Sequence, residues 1–160
     1  MAVVRLVTAI SAPVERVFDL SRSVDLHLCS MATSGEYIVA GVATGLMGLG
    51  EEVTWRARHF GCWQQLRVRI TAYERPIYFA DSMVSGAFRR MEHQHHFEAI
   101  AGGTALRDEF HFESPFGVLG QAVNLLVLTR YMRRLLLARN RVIKFTAEGE
   151  CWRQFLPKIR

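Results

Sequence analysis

Apolar and polar residues recur with two distinct periods along this chain, and the changes of period mark out its elements. Val3 to Ile10 is a short, β-branched apolar run that reads as a strand and stops at Ser11-Ala12-Pro13. Proline fits the first turn of a helix and Ser11 ahead of it is a suitable cap, so Val14 to Leu20 is expected to be a short helix with Val14, Val17 and Phe18 on one face. A second short helix is expected around Val24 to Met31, carrying His27 as a surface residue or a helix cap.

From Gly35 the period becomes two. Glu36 to Ala40 reads as a strand, and the glycine-rich stretch Gly41 to Gly50 as a loop. Val53, Trp55, Ala57 and His59 then alternate with Glu52, Thr54, Arg56 and Arg58, and Leu66, Val68 and Ile70 alternate with Gln65, Arg67 and Arg69. Each of these two strands has one wet face. Pro76 to Val84 is a further strand, ended by a turn at Ser85-Gly86. Met91, His93, His95 and Phe97 alternate with polar partners, as do Leu106, Asp108, Phe110 and Phe112. Between them Gly102-Gly103 suits a two-residue hairpin turn. That turn puts His93 opposite Phe112, His95 opposite Phe110 and Phe97 opposite Asp108, with both apolar sets on one side.

Pro115 closes the sheet, and from about Gly117 to Glu148 the period is helical. Leu128, Tyr131, Leu135, Ala138, Val142 and Phe145 step by three and four, widened by Met132, Leu136 and Ile143, with Arg130, Arg133, Arg134, Arg141 and Lys144 opposite. The class is therefore α+β. An antiparallel meander with one wet face must bury the other, and the long amphipathic helix is the element available to cover it. The two short helices would plug the remaining opening, and a strongly curved sheet around one helix leaves a cavity.

At 160 residues, half of them hydrophobic, the chain fits one domain with a substantial core, taken as residues 1–150 with a tail over 151–160. Cys29, Cys62 and Cys151 are odd in number and widely spaced, which argues against a disulfide framework or a zinc ribbon and for a reducing, cytoplasmic setting. Arg5 interrupts the apolar N-terminus, so it reads as a strand and not as a signal sequence. The nearest candidate for a membrane span, Val123 to Leu128, soon runs into Arg130, Arg133 and Arg134. The net charge of +5 comes from the C-terminal part: residues 1–115 carry 11 Lys/Arg against 13 Asp/Glu, and 116–160 carry 9 against 2. Such a basic face offers a weak contact with an anionic membrane surface or is simply solvated. It lacks interleaved exposed aromatics, so nucleic acid is not an expected partner.

The opening strand followed by Ala12-Pro13-Val14-Glu15-Arg16-Val17-Phe18-Asp19, the stretch Gly48-Leu49-Gly50-Glu51-Glu52-Val53-Thr54-Trp55, His59-Phe60-Gly61, and Gly86-Ala87-Phe88 leading to His93-Gln94-His95-His96-Phe97 resemble the START-like (SRPBCC) superfamily. That superfamily includes polyketide cyclases, coenzyme Q-binding proteins and plant hormone-binding proteins. Over nearly the whole chain, the resemblance implies a helix-grip fold: a curved antiparallel sheet of about seven strands around a long C-terminal helix, with two short helices after the first strand. It also implies a cavity for an apolar ligand, and it fixes no reaction, because members range from carriers to cyclases.

Trp55, Phe79, Met83, Met91, Phe97, Phe110, Phe112 and Tyr131 are the expected cavity wall. His93 and His95 project to one side of a strand and His59 to the inner side of another. They read either as a polar cluster that orients a ligand or moves protons, or as core histidines satisfied by neighbours. Asp108 lies in an apolar alternation, where a carboxylate without a partner is costly. Arg56 or Arg58 would reach it only by pointing inward, and the alternative is a strand end open to solvent. Asp81 shares a face with His93 only if the intervening turn holds an extra residue or a bulge. A metal would need Asp81 or His59 to complete the pair His93 and His95, and their strand positions do not converge, so neither metal nor cofactor is expected. No phosphate-binding glycine loop and no nucleophile elbow is present.

The first functional expectation is binding or transport of a small hydrophobic molecule, lipid-, quinone- or polyketide-like. The alternative is a polyketide cyclase or aromatase in which His93, His95 and Asp108 transfer protons.

Overall fold

The computed structural model describes residues 1–32, 35–114 and 118–156, and of residues 118–125 the backbone alone. Strand β1 (Ala2–Ile10) leads into helices α1 (Val14–Ser21) and α2 (Val24–Ser30). Strands β2 (Tyr37–Gly41), β3 (Glu52–His59), β4 (Cys62–Glu74), β5 (Tyr78–Ser85), β6 (Arg90–Ile100) and β7 (Gly103–Glu113) follow, then the long helix α3 (Val118–Glu148) and a 3-10 turn at Cys151–Gln154. All strand pairs are antiparallel, in the order β1-β7-β6-β5-β4-β3-β2. This is the helix-grip fold, with α3 gripped by the concave face of the sheet. The expected sheet end at Pro115, helix start at Gly117 and the last part of the tail, 157–160, lie outside the described residues.

Strict alternation carries the core. Val4 and Leu6, Val53 and Trp55, Val68 and Ile70, Met91 and Phe97, and Leu106, Phe110 and Phe112 are all buried on the concave side. Phe18 on α1 is fully buried and meets Tyr73, Phe79 and Phe97 edge-on at 5.1 to 5.5 Å between centroids. Burial of one such ring is worth about 1.5–3 kcal/mol. One pole of the molecule is thereby closed by α1. Trp152, Phe155 and Leu156, in the segment expected to be a tail, pack against the same core, with the Arg16 guanidinium 4.3 Å over the Trp152 ring.

Four expectations need correction. The hairpin between β6 and β7 turns on Ala101 and Gly102, with Ile100 opposite Gly103. Gly102 alone takes a left-handed φ, +78°, while Gly103 begins β7 at a point where a Cβ would lie 2.1 Å from the Ile10 carbonyl oxygen. The ladder therefore slides by two residues: Asp108 faces His95, Phe110 faces His93 and Phe112 faces Met91. An even shift leaves every side chain on its expected face.

The second correction concerns α3. Its buried line runs through Leu136, Arg139, Asn140, Ile143, Thr146 and Ala147, while Ala138 and Phe145 face solvent, Phe145 at 75 % exposure. Three of those buried positions are polar, so hydropathy alone points about one residue off the true face. Third, α1 is preceded by Pro13 with no side-chain cap, and the Ser11 amide instead donates to Glu148 Oε1 at the far end of α3, 2.8 Å away. Finally, Pro76 and Ile77 lie in the turn before β5.

Candidate ligand cavity and its polar floor

Between the sheet and α3 lies a cavity of about 460 Å³, walled by Trp55, Leu66, Phe88, Leu128, Tyr131 and Leu135, with Glu36, His59 and Gln64 among its polar lining residues. This volume suits a small organic molecule. A second cavity of about 160 Å³ lies deeper; Glu36, Trp55, His59, Leu66, Met132 and Leu135 line both. Its far side carries Asp81, His93, His95 and Arg139. The larger chamber thus gives onto a smaller one whose far side is a floor of two histidines, a carboxylate and a guanidinium.

The floor follows from strand register. Asp81 on β5 pairs with His93 on β6, and His95 pairs with Phe79 on one side and Asp108 on the other. Directly paired residues share a face, so the pleat points these groups at α3. The β5–β6 ladder ends with Ser82 opposite Glu92, so an odd number of residues separates the paired stretches, which is the condition under which Asp81 turns inward. The Phe79 ring stacks on His95 at 4.2 Å, and the two imidazoles lie 3.8 Å apart.

Asp108 is the hub. Its Oδ1 lies 2.8 Å from His95 Nδ1 and 3.1 Å from His93 Nε2, and its Oδ2 accepts from Asn140 Nδ2 at 2.6 Å. Asn140 Nδ2 also donates to Thr8 Oγ1. The Arg139 guanidinium lies 3.6 Å from Asp108 and donates to the carbonyl of Ser21. The arginine beside Asp108 is thus Arg139 of α3, and the carboxylate is buried and not at a strand end open to solvent. His95 Nε2 reaches Asp81 Oδ2 at 3.2 Å, which holds the imidazole between two carboxylates.

The electrostatics follow from this wiring. Burial pushes the Asp108 carboxyl up, but hydrogen bonds from His93 and His95 and their charges hold it well below the usual carboxylate range. Asp81 is likewise lowered: burial raises it, and the His95 hydrogen bond with the nearby positive charges outweighs that. His93 is driven down to about 4 by burial and then by the charge of His95, so it is a neutral imidazole at pH 7. An ionised Asp108 accepts and does not donate, so it orients His95 with Nδ1–H and His93 with Nε2–H toward itself.

At the mouth the chemistry is plainer. His59 Nδ1 lies 2.7 Å from the Tyr131 hydroxyl; burial lowers His59 and raises Tyr131. Phe60 packs on Tyr131 at 4.5 Å although 61 % exposed, and it holds a left-handed φ of +52° in the β3–β4 turn. A phenylalanine in that conformation is strained, and Asn or Gly would be the unstrained choice.

Of the residues expected to form the site, Trp55, His59 and Tyr131 line the outer chamber, and Phe79, Asp81, Met91, His93, His95 and Phe110 the inner one. Met83, Phe97, Asp108 and Phe112 line neither: Phe97 packs against Phe18 and Phe79, Phe112 against Phe88 and Phe110, and Asp108 sits behind the histidines. Sequence reasoning missed Glu36, Arg139 and Asn140. His27 is neither a surface residue nor a cap; its ring lies 4.3 Å from Trp55 and its Nε2 3.3 Å from Glu36. Asp81, His93 and His95, expected not to converge, bring one ligand atom each to within 4.8 Å of one another.

No protein-family model matches the sequence, and neither does any curated protein. Solved structures do match in fold. The crystal structure of TTHA0849 from Thermus thermophilus aligns with a TM-score of 0.70 at 18% identity, over 92% of this chain and 99% of that one. The ginseng major latex-like protein 151 from Panax ginseng aligns with a TM-score of 0.67 at 15% identity, over 92% and 98%. A protein from Rhodobacter sphaeroides gives 0.66 at 15% identity, over 91% of each chain. At these identities the likeness is one of fold.

Proposed function

We propose that the chain, as one ligand-binding unit over residues 1–150, binds a small, largely apolar molecule with its body in the outer chamber and a polar end at the His93, His95 and Asp81 floor. The observation that carries this reading is the division of the lining: Phe88, Val127 and Leu128 line the outer chamber alone, whereas Asp81, His93, His95 and Arg139 line the inner one alone. Sites of this kind take affinity from apolar burial and orientation from a few placed polar groups. Lipid-, quinone- and polyketide-like molecules fit that division. Cys29, Cys62 and Cys151 are free and exposed, and among the described residues no helix is long and apolar enough to cross a membrane. Both agree with a cytoplasmic setting, where the exposed Arg130, Arg133, Arg134 and Arg141 would give at most a weak contact with anionic lipid.

Native mass spectrometry of the protein from its own host, with organic extraction, tests the reading. A stoichiometric apolar compound is expected. An empty protein that also leaves the tryptophan fluorescence of a Trp63→Phe, Trp152→Phe variant, in which Trp55 alone remains, unchanged across a panel of fatty acids, quinones and aromatic polyketides would sink it.

A second reading, polyketide cyclisation, is favoured by one observation: His95 is held between the carboxylates of Asp81 and Asp108. An imidazole so oriented can take and return a proton. Under that reading His95→Gln abolishes turnover of a poly-β-ketone while the molecule still binds; under simple binding the same change alters affinity and there is no turnover to lose.

A further inference from the structure

The three groups at the inner floor have a property that ligand binding does not need. Asp108 engages one nitrogen of each imidazole, His95 Nδ1 and His93 Nε2, which leaves His95 Nε2 and His93 Nδ1 as the remaining nitrogens. His95 Nε2 already sits 3.2 Å from Asp81 Oδ2. That separation is close to the spacing of two ligands bonded to one ion at about 2.0–2.2 Å each in a tetrahedral site. One nitrogen from each histidine and one Asp81 oxygen fall within 4.8 Å of one another.

We propose that Asp81, His93 and His95 bind a single divalent first-row transition ion of the zinc type, held between His95 Nε2 and Asp81 Oδ2 with His93 as the third ligand. Two imidazoles and one carboxylate are a donor set for such ions, and three protein ligands leave a coordination position open. All three residues line the inner cavity, so that position faces the space where a bound molecule's oxygen would lie. Asp108 fills the role that outer-shell carboxylates have in metal sites: it fixes tautomer and ring orientation of both histidines without being a ligand. Its charge also offsets Arg139, which is itself held by Ser21 and Asn140. The inference stands apart from the proposed function, because the ion would bind with no organic ligand present.

Untagged protein stripped with chelator and titrated with Zn(II) against a chromogenic competitor should take up one ion per chain. Co(II) should give the visible absorption bands of a four- or five-coordinate nitrogen and oxygen site. His95→Gln and Asp81→Asn should each abolish uptake, Asp108→Asn should weaken it about 10–100-fold, and His111→Gln should leave it unchanged. Nitrogen-detected NMR of the wild-type histidine rings needs no variant: Zn(II) should shift His93 and His95 and leave His27 and His96 in place. Absence of saturable uptake by the wild type, or uptake that shifts other histidines and survives His95→Gln, would overturn the proposal.

Discussion

The two ends of the cavity are built on opposite principles. At the floor, Asp108, His93, His95, Asn140 and Arg139 are buried and hydrogen-bonded to one another across β6, β7 and α3. At the mouth, Phe60, Phe88 and Leu128 offer apolar surface, and among the described residues the side-chain hydrogen bond of His59 to Tyr131 joins sheet to helix. A satisfied polar network in a low-dielectric interior admits one geometry, whereas an apolar wall tolerates many occupants of similar size. The floor is therefore the part suited to discriminate between ligands, and the mouth the part suited to accommodate them.

The contrast breaks most readily at its hub. Asp108→Ala strips the partner from two imidazoles, an amide and a guanidinium at once, and is expected to cost about 3–5 kcal/mol; urea unfolding measures it, and a loss under about 1 kcal/mol would mean that the floor is not what holds α3 to the sheet. Next comes acid. The unfolded chain protonates residue 93 below its ordinary value of 6.5, and the folded chain resists until about 4. Stability is thus full above that window and declines as pH falls through it, by about 3 kcal/mol across its width. The lowered Asp108 carboxyl adds a further loss below pH 3.8. His93→Gln should remove the upper part of this slope, as a pH series of unfolding midpoints would reveal. At the mouth the effects are smaller. Tyr131→Phe is expected to cost about 0.5–1.5 kcal/mol, and Phe60→Asn should stabilise by about 1 kcal/mol by relieving the left-handed strain. If Phe60→Asn also weakens binding of an apolar fluorescent probe, strain at the rim is retained for the sake of the ligand.

The strands and the concave faces were legible because alternation reports which side is wet, and the even two-residue slip of the β6–β7 ladder did not disturb that. The pairing itself was not, since either glycine could have made the turn; contact with the Ile10 carbonyl decides it. Asp81 was ambiguous because the number of residues between Ser82 and Glu92 sets its face relative to His93. Arg139 and Asn140 were hidden by their chemistry. Periodicity treats a polar residue on a helix as a solvent marker, and here two adjacent ones are buried, Asn140 against the sheet and Arg139 against α1. Asp108, a carboxylate in an apolar alternation whose second oxygen the strand histidines leave to be satisfied, is the signal that could have pointed to them.

The attachments of α3 are unevenly spread along its length. Arg139, Asn140, Lys144, Ala147 and Glu148 bond to Ser21, Thr8, Ala9, Arg16 and Ser11, whereas among the described side chains from 126 to 135 the sheet is reached through Tyr131 to His59 and a 3.4 Å bond from Arg133 to the Arg5 carbonyl. Mechanically the helix is a cantilever, clamped at its C-terminal end with Tyr131 as a latch partway along. Loading it around residues 126–130 bends it away from the chamber without touching the floor. Amide exchange along α3 should therefore slow steadily from residue 126 toward 147, and the gradient should steepen when the Tyr131 latch is cut.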